Sequence, residues 1–471
     1  MISCSFFAVT VVGSVSVMTV LSSIPLIPQA IVLRAASAAI ERRATDGRLH
    51  ESGSSLPRHA GEITDPGQEG ADMRLLLVTW NAPAHLFAMV PLGWAAQVAG
   101  HEVRVAAPPS CTEAIGRTGL TAVPVGTQRP AAPSGPPPGA PSGRWPVDWA
   151  VHPELLDDGR RELLRSLAAR QFAAAEPMLD DLIEFARWWS PDAVVYDPTS
   201  LAGEVAATVL GVPAFACSWG RAAAVRIERG LGSEPLPGYA RLFERFECQP
   251  PQGPAAWFDP FPAGLWLAEP DLPRQAVRFV PGTGGDAGLL PGWLREHSAR
   301  PRICVTSAEP GGLVRPEAVR AFYRHALTVL SDVDAEVVVP AGPAARALLA
   351  EIPHTARIVD PLAAHLLVPG CRLTVHQGDG LSTLAGLGSG VPQYILAPRP
   401  EQALVGHQLH RAGAGGYRSL SEPVDVPAER AMLDALLAPE SGGAAARKLQ
   451  EETLALPLPA AVLSRIESAT R

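Results

Sequence analysis

The stretch Arg74-Leu75-Leu76-Leu77-Val78-Thr79-Trp80-Asn81-Ala82-Pro83-Ala84-His85 decides the fold. Its unbroken apolar run belongs to a strand covered on both faces, which is the parallel-sheet pattern and not the alternation of a half-exposed strand. Phe87 to Ala99 then carries helical spacing and stops at Gly100, so the run predicts strand, then helix. Working outward, Glu102–Ala106 reads as a strand, Cys111–Thr118 as a helix and Leu120–Val125 as a strand. Thr127 to Val147 is dense in Pro and Gly and reads as a loop, and Pro153 to Trp189 is a long helical region. Asp192–Asp197, a helix over Leu201–Leu210 and Val212–Cys217 add a further strand-helix-strand unit. This alternation predicts an α/β fold with a doubly wound sheet.

Ser218 to Phe261 is irregular and rich in aromatic residues and proline, a composition suited to lining a pocket. Pro270 to Trp293, with Pro-Gly-Thr-Gly-Gly at 281–285, reads as an interdomain linker. The alternation restarts with strands at Arg302–Thr306, Ala335–Val339, Ala356–Val359, Arg372–Val375 and Gln393–Leu396. Helices are expected at Arg315–Leu330, Pro343–Glu351, Leu381–Ser389, Gln402–Ala412 and from Ala428 onward. The predicted organisation is an extension (1–72), a first Rossmann-like domain (73–275), a linker (276–300), a second Rossmann-like domain (301–439) and C-terminal helices (440–471). Two doubly wound domains facing across a cleft would bind ligands at the carboxyl ends of their strands.

Composition narrows the chemistry. Of 471 residues, 47% are hydrophobic and 18% charged, as in a folded globular chain, and the net charge of −8 argues against a nucleic-acid partner. The single lysine, Lys448, sits in Ala-Arg-Lys-Leu, which excludes a phosphate-binding P-loop lysine and argues against a Schiff-base enzyme. Six scattered cysteines form no CxxC pair, so neither a zinc site nor a disulfide framework is expected. Ile2 to Leu33 carries no charge and Arg34, Arg42, Arg43 and Arg48 follow. That run is long enough to span a bilayer as an anchor, and the alternative is a non-native or unstructured extension preceding a start at Met73. Both readings place the body in the cytoplasm, with membrane contact only if the run is a real anchor.

Three places put polar groups at strand ends. His85 lies in the loop after the first strand, near a helix start, where an imidazole could serve as a general base or be merely structural. Asp197 ends Ala193-Val-Val-Tyr-Asp-Pro; it could orient an imidazole or cap the helix that follows. Val375-His376-Gln377-Gly378-Asp379-Gly380-Leu381-Ser382-Thr383 runs from a strand through a glycine turn into a helix, which makes an anion site suited to a diphosphate or a plain capped turn. Asp379 would oppose a phosphate unless it points away. Asp332-Val-Asp334 reads as a solvated turn in place of a metal motif, and Trp188-Trp189 as packing, with one of them able to face the pocket.

Together these segments resemble the family-one natural-product glycosyltransferases of the GT-B fold, of the actinobacterial macrolide and polyketide type. The likeness covers Met73 to about Pro439 and is carried by His85–Trp94, Ala99–Ala106, Val194–Pro198, Leu201–Gly203, Val375–Asp379, Ala385–Gln393 and Gly413–Gly415. It implies an inverting, metal-independent transfer of a sugar from a nucleotide diphosphate donor, a dTDP-sugar, to an aglycone hydroxyl, with no further cofactor. It also implies His85 as base and Asp197 as the carboxylate that orients it. On the donor side it implies His376 on the diphosphate, Gly378, Gly380, Ser382 and Thr383 in the phosphate turn, Glu401 and Gln402 at the sugar, and Ser307 as a donor-side hydroxyl. Val277–Gly282 and Pro291–Arg295 are most similar to the branch whose members work with a separate activator protein related to cytochrome monooxygenases. The family's His-His-Gly-Gly-Ala-Gly reads His-Gln-Gly-Asp-Gly-Leu at 376–381, and Ala88 replaces a common proline. Those departures are what a non-catalytic GT-B partner protein would show, the rival to an enzyme; a GT-B sugar epimerase is a third reading.

Overall fold

Successive residues of a strand face opposite sides of its sheet, and the Arg74–Val78 run uses both. In the computed structural model Leu75 and Leu77 enter one buried cluster while Leu76 and Val78 enter another. The structure describes residues 73–471 except 81, 128–144, 221–225, 231, 233, 268–271, 282–289, 296–297, 308–315 and 354. Within 1–72 it describes only the backbone of two short antiparallel strands, β1 (Ala8–Val12) and β2 (Val15–Thr19), which lie in a unit of their own. Most of the Ile2–Leu33 run, the polar stretch after it and most of the Thr127–Val147 loop therefore fall outside the described residues. No helix among the described residues is long and apolar enough to cross a membrane.

The first sheet has seven parallel strands: β3 (Arg74–Val78), β4 (Glu102–Ala107), β5 (Thr121–Pro124), β6 (Ala193–Tyr196), β7 (Ala214–Cys217), β8 (Ala256–Asp259) and β9 (Arg274–Ala276). Their spatial order is β5-β4-β3-β6-β7-β8-β9. The second sheet is built from β10 (Arg302–Val305), β11 (Glu336–Pro340), β12 (Arg357–Val359), β13 (Leu373–His376), β14 (Gln393–Ala397) and β15 (Gly415–Ser419), all parallel, in the order β12-β11-β10-β13-β14-β15. Each order reverses direction once, between β3 and β6 and between β10 and β13. Crevices at the carboxyl ends of such strand pairs are where open parallel sheets receive ligands. Strands β8, β9 and β15 lie in stretches that sequence patterning leaves irregular, and β9 falls inside the predicted linker.

Helices cover both faces of each sheet. Pro83–Val98 and Pro459–Thr470 lie on one face of the first, where Val462, Leu463 and Ile466 join Leu75, Leu77 and Phe215. Leu179–Trp189, Leu201–Leu210 and Pro237–Glu244 cover the other. The chain thus returns from the second half to finish on the first. One apolar cluster also spans the halves, joining Phe261, Leu265 and Leu267 to Leu404, Leu409 and Leu449.

Candidate active site

The carboxyl ends of β3 and β6 bring His85 and Asp197 together across 112 residues of sequence: His85 Nδ1 lies 2.8 Å from Asp197 Oδ2. His85 sits in the first turn of the Pro83–Val98 helix, not in the loop expected for it, because Pro83 takes the first helical position, where its missing N–H costs nothing. Asp197 continues the pairing of β6 with β3 by donating its N–H to Val78 O, and its side chain is buried. It does not cap the Leu201–Leu210 helix, whose first flanking residue is Ser200. Asp197 Oδ1 instead accepts from the Thr199 N–H and hydroxyl, both at 2.8 Å, which leaves Oδ2 for the imidazole.

The Trp80 indole nitrogen and the Thr199 hydroxyl lie 3.1 and 3.4 Å from the same Nδ1. Two partners compete for Nδ1: the Trp80 indole N–H can only donate to it, while Asp197 Oδ2, a buried carboxylate oxygen with only the Thr79 hydroxyl at 3.5 Å besides, can only accept; we assign the Nδ1 proton to the shorter contact, the one with the charged carboxylate. Nε2 is then an acceptor, and no hydrogen bond to it is formed among the described residues. The His85 side chain is 16% exposed, so it meets the cleft with one edge. Trp219, just past the end of β7, stacks on the imidazole with centroids 3.6 Å apart and planes 15° apart.

Across the cleft, β13 ends at His376, and Ser307 lies two residues past the end of β10. Ser307 Oγ donates to Gln377 Oε1 at 3.2 Å, and the Thr306 and Ser382 hydroxyls are 3.4 Å apart. Gly378, at φ +81°, turns the chain into the Gly380–Ser389 helix; a side chain there would be strained by that φ and pressed tightly against Ile395 and Gln402. Gln402 is buried against this turn, whereas Glu401 is partly exposed and paired with Arg399 at 3.0 Å. Thr383 is buried and donates its hydroxyl to Asp379 O at 2.7 Å.

One expectation needs correction, and one open condition is answered. His376 does not reach toward a ligand: it is fully buried, its Nδ1 accepts the Gly378 N–H at 3.0 Å, and its Nε2 donates to Gln393 Oε1 at 2.9 Å. Burial holds this imidazole below its ordinary pKa, so it is a neutral brace for the turn. Asp379 does not point away: its Oδ1 accepts the Ser382 N–H at 3.0 Å and caps the helix end that would receive an anion. Elsewhere, Trp189 is buried and Trp188 is 78% exposed beside Phe185, while Asp332 and Asp334 are exposed, near Arg430 and Arg300. Thr199, Trp80 and Trp219 escape sequence reasoning. The Asp-Pro-Thr triplet at 197–199 is a signal for the first, since an Asp side chain commonly accepts from the backbone N–H two residues on, and a threonine there brings its hydroxyl to the same carboxylate.

Two doubly wound halves, with an imidazole–carboxylate pair at one switch point and a helix N-terminus at the other, define a GT-B sugar transferase. Residues 94–308 match the N-terminal domain described as erythromycin biosynthesis protein CIII-like, and residues 324–469 match its C-terminal domain. TDP-daunosamine transferase DnrS of Streptomyces peucetius is 32% identical over 421 residues, spanning 84% of this chain and 97% of its own. The 10-deoxymethynolide desosaminyltransferase of Streptomyces venezuelae is 31% identical over 84% of this chain and 96% of its own. Among solved structures, spinosyn rhamnosyltransferase SpnG with spinosyn aglycone superposes with a TM-score of 0.70 at 26% identity, covering 84% of this chain and all of SpnG. Glycosyltransferase VinC with dTDP gives 0.68 at 26% identity, over 84% of this chain and 99% of VinC. The chain belongs to the erythromycin CIII-like family of GT-B glycosyltransferases.

Proposed function

We propose that this chain transfers a deoxysugar from a dTDP-sugar to a hydroxyl of a polyketide aglycone, in one inverting displacement at the cleft between the halves. The observation that carries this is the His85–Asp197 pair at 2.8 Å, with Nε2 unengaged among the described residues. Nε2 takes the proton of the acceptor hydroxyl as its oxygen attacks the anomeric carbon, and the bond from that carbon to the diphosphate breaks with inversion. Asp197 holds the imidazole in the tautomer that accepts at Nε2 and stabilises the imidazolium that forms. Amides and hydroxyls at the start of the Gly380–Ser389 helix, with Ser307, receive the departing diphosphate, and Glu401 and Gln402 face the sugar. No metal or further cofactor enters this scheme.

The donor reading is supported by the names of DnrS, a TDP-daunosamine transferase, and of VinC in complex with dTDP. The acceptor reading is supported by 10-deoxymethynolide and spinosyn aglycone. The same proposal assigns 73–275 to the acceptor, 301–439 to the donor, 276–300 to the connection, and 440–471 to closing helices. It places the body in the cytoplasm. It includes dependence on a cytochrome-monooxygenase-like activator, which rests on the resemblance of Val277–Gly282 and Pro291–Arg295 alone.

Replacing the base tests the scheme. His85→Ala should lower turnover by roughly 10²- to 10⁴-fold while calorimetry with thymidine diphosphate shows near-normal binding. Undiminished sugar transfer by that variant would remove His85 from the mechanism.

A further inference from the structure

We propose that Trp219 is a positioning residue that couples occupancy of the donor helix to the placement of the His85 imidazole; this rests on the nucleotide-sugar reading above. Its side chain and its backbone each touch one half of the site. The indole lies flat on the His85 ring, 3.6 Å away, and so fixes the imidazole out of plane, where Asp197 fixes it only in plane.

The backbone of the same residue rests on the first residue of the Gly380–Ser389 helix. A Cβ built on Gly380 would lie 1.8 Å from Trp219 O, so nothing larger than glycine fits there. Gly220, at φ +102°, is also held close: a Cβ on it would lie 2.9 Å from Gly380 Cα. Two glycines therefore let the loop after β7 dock against the donor helix, with the Trp219 carbonyl oxygen filling the space beside its first residue. A diphosphate arriving at that helix end competes with the carbonyl. Displacing the carbonyl moves the residue whose ring carries the base, so the imidazole is repositioned when the donor turn fills.

Histidine reactivity in the full-length chain reads this directly. Diethyl pyrocarbonate modification of His85, followed by peptide mass mapping, should change in rate at least fivefold when wild type is saturated with thymidine diphosphate. Trp219→Ala should lose that nucleotide effect while keeping a calorimetric Kd within about threefold of wild type. Trp219→Phe, which keeps a stacking ring and guards against a folding defect in the alanine variant, should restore it. A His85 rate indifferent to nucleotide in wild type, an undiminished effect in Trp219→Ala, or loss of the effect in Trp219→Phe overturns the coupling. If wild type shows no saturable heat with thymidine or uridine diphosphate, the donor reading fails instead.

Discussion

Asp379 stands where the family pattern has glycine, and its carboxylate already occupies the helix-end amide of Ser382. A second anion at that place meets both a filled amide and a like charge. Asparagine would keep the cap, since it serves that position as well as aspartate, and would remove the charge; glycine would remove both. Thymidine diphosphate affinity should therefore rise in the order wild type, Asp379→Asn, Asp379→Gly, by about tenfold in the last, equivalent to ~1.4 kcal/mol. Affinity for thymidine, which lacks phosphate, should not move. Calorimetry on the three proteins checks this, and diphosphate affinity that is flat or falling along the series contradicts it. The same residue shows what a motif conveys and what it withholds. A polar glycine turn entering a helix is readable locally, but the direction of the Asp379 carboxylate and the burial of His376 depend on partners. For His376 the partner is Gln393 on the next strand, seventeen residues away.

At the scale of elements, β3 and the helix after it are legible because burial on both faces and helical periodicity are local properties. β8 is not: Ala256–Asp259 is four residues long and set among prolines, and it becomes a strand by pairing with β7. Its last residue carries a measurable consequence. Asp259 is buried beside Arg274, with a closest N–O approach of 3.7 Å, and desolvation outweighs that attraction, so its carboxyl is pushed up to about 6. A group whose folded-state pKa lies above its unfolded value favours the fold when protonated; that contribution is lost as pH rises through about 6. Lowering the pH from 7 to 5 should thus add stability through this group. A shift of roughly two units bounds the effect at about 3 kcal/mol. Urea unfolding at pH 5, 6 and 7 checks the sign: the difference in stability between wild type and Asp259→Asn should move toward wild type as the pH falls. A difference that is constant or moves the other way shows that Asp259 is ionised throughout.

For the whole molecule, the two alternations and the break between them predict two sheets, and the switch points follow once strand order is known. Sequence patterning cannot show that the chain crosses back. The two crossings lie side by side, Arg278 donating its N–H to Pro457 O at 2.7 Å, and the final helix then covers the first sheet. His101 ties that helix to the sheet's start: its Nδ1 accepts the Met73 N–H and its Nε2 donates to Glu467. The helix has ordinary amphipathic spacing and would suit either half, so its destination is decided by the complementary surface that Leu75, Leu77 and the Pro83–Val98 helix leave open. If it is structural to the first half, damage to it should act on stability far from the donor turn. Ile466, fully buried in that cluster, is the position to change. Ile466→Ala removes three carbons from a packed interior and should cost about 2–5 kcal/mol, read as a lower urea midpoint, while thymidine diphosphate affinity of the still-folded fraction stays within about twofold. A midpoint unchanged from wild type would mean that the helix is dispensable to the first half, and that its return across the molecule contributes nothing to holding the two halves in register.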